Sequence, residues 1–108
     1  MFVFTLSAVQ RIKLVARGLS WPSVAARLAI TPYGGTGQPD IVIDLRPRPV
    51  HGDREIEVSG VRVYIEPAAE PYLQGLTVDY VLLDTGGCFT LQSAEGTRPL
   101  KADGALAM

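Results

Sequence analysis

The chain has 108 residues, 47% of them hydrophobic and 19% charged, with a formal net charge of -1 at neutral pH. That length is one domain, able to bury about 60 to 70% of the surface its unfolded chain exposes, and that composition is globular. No apolar run approaches the roughly 20 residues of a spanning helix, and Met1-Phe2-Val3-Phe4-Thr5 lacks the cationic start of a secretory signal, so a cytoplasmic protein with no membrane partner is expected. Lysine and arginine are spread along the sequence, which removes the electrostatic footprint of phosphate-backbone binding, so no nucleic-acid partner is expected. The single cysteine, Cys88, excludes an intrachain disulfide framework and fits a reducing compartment.

Phe2 and Phe4 alternate with Val3 and Thr5 as a short opening strand, and Thr5 or Ser7 is placed to cap a helix. Ala8, Ile12, Val15, Ala16 and Leu19 recur at spacings of three and four, an apolar stripe that leaves Gln10, Arg11, Lys13 and Arg17 outward, and Gly18 is a natural stop. After a connector holding Trp21, Arg27-Leu28-Ala29-Ile30-Thr31 alternates as a half-buried strand. The segment Pro32 to Pro39 carries three glycines and two prolines and reads as a tight loop, then Ile41 to Leu45 resumes as a strand, ended by Arg46-Pro47-Arg48-Pro49. Glu55 to Val58 and Val61 to Ile65 form a hairpin about Ser59-Gly60. Pro67 starts a short helix with Tyr72 and Leu73 on its apolar side, and Gly75 ends it. Thr77 to Leu83, a turn at Asp84 to Gly87 and a strand from Cys88 to Gln92 complete the pattern.

These elements predict a mainly β (α+β) fold, a barrel-like sandwich of about seven short strands with an N-terminal helix and one short helix. The domain spans residues 1–94, and the small residues of 95–108 read as a flexible tail.

Residues Gly60-Val61, Tyr72-Leu73-Gln74-Gly75 and Asp79-Tyr80-Val81, with Phe4 to Ser7 and Ala26-Arg27-Leu28, carry a resemblance to the A-type iron-sulfur carriers, the HesB/IscA group. It covers most of the chain, to about position 92. With the spacing kept from Val81, Phe89 takes the place of the family phenylalanine and Cys88 that of the glycine before it. The resemblance implies a HesB-like fold, with Gly60, Tyr72, Leu73, Gly75, Asp79, Tyr80 and Phe89 as structural signature positions. It also implies three cluster-binding cysteines, and none carries over. Gly34-Gly35-Thr36-Gly37 stands where the first belongs, with Gly35 at the ligand position, and the C-terminal Cys-Gly-Cys is missing.

Clusters are normally held by four thiolates, so Cys88 is the one residue on which metal chemistry could rest. Its alternatives are a packed small hydrophobe, the reading with more weight, or a metal, redox or intermolecular disulfide role. His51, in a turn with no second histidine, reads as solvated and not as a ligand. The glycine loop could cradle an anion, but it leads into a strand and not a helix N-terminus. Asp79, the single carboxylate inside an apolar strand, is a candidate buried acid, but the family resemblance implies a structural role, bonded to backbone amides or an arginine such as Arg27. No nucleophile and base converge, so no enzyme is expected.

The expectation is therefore a non-catalytic relative of iron-sulfur assembly carriers, without a cofactor, acting as an interaction or regulatory module. A homodimer is expected, through the N-terminal helix or the edge strand Ile41 to Leu45, with a protein partner in iron-sulfur or sulfur metabolism. The alternative is an atypical iron or iron-sulfur cluster carrier using Cys88 across a homodimer or with partner ligands.

Overall fold

A computed structural model describes residues 2–21, 23–31 and 40–107. In chain order they form β1 (Val3–Phe4), α1 (Leu6–Arg17), β2 (Ala25–Thr31), β3 (Asp40–Arg46), β4 (Arg54–Val58), β5 (Val61–Ile65), α2 (Glu70–Leu73), β6 (Thr77–Leu83), β7 (Gly86–Ser93), β8 (Gly96–Pro99), β9 (Lys101–Ala102) and a 3-10 turn at Gly104–Ala107. The strands make two mixed open sheets, β1-β6-β7-β8 and β4-β5-β2-β3-β9. The mainly β, two-helix fold expected from the sequence is thus present, as two facing sheets and not a closed barrel.

Alternation sets the faces of each strand. Ala26 and Leu28 of β2, Ile41, Ile43 and Leu45 of β3, Val63 and Ile65 of β5, Val78 of β6 and Phe89 and Leu91 of β7 meet in one buried core. Complete burial of a leucine or isoleucine contributes about 1.5–3 kcal/mol, so Leu28, Ile43 and Ile65, each at most 1% exposed, are major contributors. Helix α1 adds Ala8, Val9 and Ile12. Thr5 caps it by accepting from the Ala8 amide, and Gly18 closes it. The β4–β5 turn needs the left-handed region at two successive residues, Ser59 (φ 50) and Gly60 (φ 84), a requirement met by a serine-glycine pair.

Three expectations are corrected. Asp84-Thr85 alone connects β6 to β7, because Leu83 pairs with Gly86 and the glycine pair belongs to the strand. Ile41 to Leu45 is not a free edge: β2 lies on one side, and β9 pairs with Val42 and Ile43 on the other. Residues 96–107 are not a loose tail. They form β8 on β7 and β9 on β3, and they bury Leu100 and Leu106 between the sheets, where two apolar anchors and two ladders outweigh the weak propensity of a Gly- and Ala-rich segment.

Candidate functional site

Three of the signature residues, Asp79, Tyr80 and Phe89, lie on the β6–β7 hairpin. Its ladder runs without interruption from Thr77↔Gln92 to Leu83↔Gly86, so successive side chains are assigned to opposite faces. Phe89 and Leu91 point to the core, and Cys88, Thr90 and Gln92 share the outer face with Asp79 and Val81.

Asp79 is the polar anchor of that face. Its Oδ1 accepts from the Thr5 hydroxyl at 2.5 Å and from the Tyr80 amide at 2.9 Å, and its Oδ2 accepts from Gln92 Nε2 at 3.1 Å. Thr5 meanwhile caps α1, so one carboxylate ties the start of the helix to both strands of the hairpin. Of the partners expected for Asp79, a backbone amide is present at Tyr80, whereas Arg27 pairs with Asp53 and the side-chain donors are Thr5 and Gln92. Ser7 adds a second tie by donating to the Tyr80 carbonyl at 2.8 Å.

Tyr80 lies on the other face, edge-on to Phe89 at 5.0 Å between ring centroids, with the Arg11 guanidinium 5.1 Å from its own centroid. The ring also covers Gly87, where a Cβ would fall 1.9 Å from the Tyr80 hydroxyl oxygen. Glycine at 87 is required for this contact, which the sequence did not reveal. The end of the hairpin borders a groove of about 380 Å³ lined by Arg11, Tyr80, Gly87, Cys88, Phe89 and Leu100, among others.

Cys88 sits in this end, half-buried and opposite Val81. It is neither a sealed core thiol nor a fully exposed one. Two residues on and on the same face, the Thr90 hydroxyl is buried without a hydrogen-bond partner. Leaving a buried hydroxyl unpaired costs about 1–3 kcal/mol, so this is a polar atom the fold does not satisfy.

The other signature positions lie outside the hairpin. Leu73 is fully buried, whereas Tyr72 is 44% exposed and does not share its apolar side. Gly75 adopts φ 74 after α2. His51 is exposed in its turn. Gly34, Gly35, Thr36 and Gln38 with Gly37 lie outside the described residues.

Sequence reasoning missed one site altogether. Arg27 of β2 is buried on the outer face of the larger sheet, donating from Nε to Asp53 Oδ2 at 2.8 Å and from Nη2 to Oδ1 at 3.1 Å. Asp53, its side chain 1% exposed, also accepts from the Val50 amide. The Arg27 hydrogen bond holds the Asp53 carboxyl below the usual carboxylate range against the opposing effect of burial, and it raises the guanidinium in turn. The pair clamps the turn after β3; an arginine within an apolar strand was the only signal of it.

Among the described residues no group of three or more His, Cys, Asp or Glu side chains could hold a metal ion, and no helix is long and apolar enough to cross a membrane. No protein-family model matches the chain. It is 32% identical over 96 residues to a protein of Aquifex aeolicus, covering 89% of this chain and 82% of that one. It is 33% identical over 92 residues to the iron-sulfur cluster insertion protein ErpA of Glaesserella parasuis, covering 84% and 80%. Among solved structures it resembles SufA of Escherichia coli, involved in iron-sulfur cluster biosynthesis, with a TM-score of 0.73 at 21% identity over 88% of this chain and 82% of that one. It also resembles IscA with a [2Fe-2S] cluster, with a TM-score of 0.67 at 23% identity over 87% and 83%. The expectation of no cofactor is corrected by this last neighbour, since in IscA the same fold holds a cluster. The likenesses to ErpA in sequence and to IscA and SufA in fold place the residues described above in a known setting: the chain belongs to the A-type iron-sulfur carrier family, the HesB/IscA group, as a member with a single cysteine.

Proposed function

We propose that this protein is an atypical carrier of iron or an iron-sulfur cluster, in which Cys88 is the thiolate each copy contributes. The observation that carries the reading is the position of Cys88: half-buried on the hairpin that holds Asp79, Tyr80 and Phe89, beside a groove and two residues from the unpaired hydroxyl of Thr90. The described residues of one copy do not make a ligand set. A cluster with four ligands therefore takes Cys88 from each of two copies and its remaining ligands from a protein partner or a small thiol. Iron or cluster is cargo here, bound and handed on, and the chain's work is binding and not catalysis. Its partners are proteins that deliver or accept that cargo. A single thiol free of disulfides suits a reducing compartment such as the cytoplasm.

The test is anaerobic purification with iron, acid-labile sulfide and visible absorption measured on wild type and Cys88→Ala, before and after reconstitution. A stoichiometric chromophore lost in the variant supports the carrier. Colourless, iron-free and folded protein in both forms overturns it and leaves an interaction module.

A further inference from the structure

The cations of this chain are spread along it, but its carboxylates are not. All 11 acidic residues lie at or beyond Asp40, whereas Arg11, Lys13, Arg17 and Arg27 precede it. Arg27 is neutralised by Asp53, and Arg11 lies over the Tyr80 ring. Lys13 and Arg17 are exposed and have no carboxylate within ion-pair distance among the described residues. At 3.6 residues per turn they fall with Leu6, Gln10 and Leu14 on one face of α1, opposite the core face of Ala8 and Ile12. On that face Leu6 is 68% and Leu14 56% exposed, and Trp21, just past the helix, is 37% exposed.

We propose that this face of α1 is a docking surface for an acidic protein segment that presents leucine-sized apolar side chains. Charge complementarity chooses the occupant. A second copy docking helix to helix about a two-fold axis would set these cations against each other. Phosphate-backbone binding relies on a longer series of cationic contacts. An interfacial membrane helix needs its apolar face free for lipid, and here that face fills the core. The remaining arrangement, two cations without an ion pair among the described residues beside Leu14, with Leu6 about two turns away, matches an acidic amphipathic helix. The surface lies on α1 and not around Cys88, so it holds whether or not iron is bound.

The probe is a fluorescein-labelled acidic amphipathic peptide of glutamate and leucine at helical spacing, titrated by anisotropy against the full chain. Wild type is expected to bind saturably at low salt and several-fold more weakly at high salt. Lys13→Glu/Arg17→Glu and Lys13→Ala/Arg17→Ala are expected to lose about tenfold or more, equivalent to about 1.4 kcal/mol, with unchanged circular dichroism. Arg98→Glu/Lys101→Glu, with the same change in net charge on exposed β8 and β9 residues, is expected to bind as wild type does. The proposal is overturned if wild type shows no saturable binding, if both charge reversals weaken it equally, or if phosphatidylserine vesicles or an RNA oligomer bind more tightly than the peptide through Lys13 and Arg17.

Discussion

The outer faces of the two sheets treat their reactive groups in opposite ways. On the larger sheet, Arg27 is paired with Asp53 through two hydrogen bonds, the carboxylate takes a third from the Val50 amide, and the turn is locked over both. On the smaller sheet, the same care is given to Asp79, with three donors, but its cross-strand partner Thr90 is left unpaired, and Cys88, two residues nearer the turn, is half-buried. Groups that only hold the fold are satisfied within it. The group assigned to function is left with capacity to spare.

Removing one partner of a buried ion pair is the sharpest way to separate the two regions. Asp53→Ala leaves Arg27 buried without its counter-ion, and a loss of about 3–5 kcal/mol in urea unfolding is expected, with the Cys88 region unaffected in its reactivity while the protein is folded. The same pair sets the pH dependence. Because the folded Asp53 carboxyl is held below its ordinary value, its stabilisation is complete above the unfolded carboxylate range and is lost as pH falls through the folded value. Acid unfolding monitored at decreasing pH below about 4 is therefore expected to be shallower in Asp53→Asn than in wild type, and an unchanged slope would remove the clamp from the account.

Gly87→Val tests the middle of the comparison. The new side chain meets Tyr80, which is itself held by Phe89 and Arg11, so a loss of about 1–3 kcal/mol is expected, along with an altered near-ultraviolet circular dichroism of the tyrosine. Asp79→Ala strands the donors of Thr5 and Gln92 and uncouples α1 from the hairpin. Because these groups are only partly buried, a loss at the lower end of about 1–3 kcal/mol is expected by thermal melting. Cys88→Ser is expected to be the mildest of the series, less than about 0.5–1 kcal/mol. A larger loss would make Cys88 a packing residue and blur the contrast between the faces.

Much of this was legible in the sequence, and the reasons differ by element. Helix α1 announced itself through the spacing of Ala8 and Ile12 and through its caps at Thr5 and Gly18, all local signals. The β4–β5 hairpin was visible in Ser59-Gly60 between two alternating runs. The hairpin carrying Asp79, Tyr80 and Phe89 was recognisable as a family signature. What sequence could not supply was long-range pairing. Asp53 sits in a turn-like Pro-Val-His-Gly-Asp run that says nothing of Arg27, and Leu100 and Leu106 acquire meaning only once the gap between the sheets exists to receive them. Gly87 looked like part of a turn because its role is to make room for a ring from the neighbouring strand. The half-buried state of Cys88 depends on that same packing, which no local pattern in the sequence encodes.

The most direct test of the central claim is native mass spectrometry of anaerobically reconstituted protein, comparing wild type with Cys88→Ser. The account predicts a species of two chains carrying iron, or iron and sulfide with an added thiol, that vanishes in the variant. Iron-free wild type, or an identical iron-bearing species in Cys88→Ser, would contradict it.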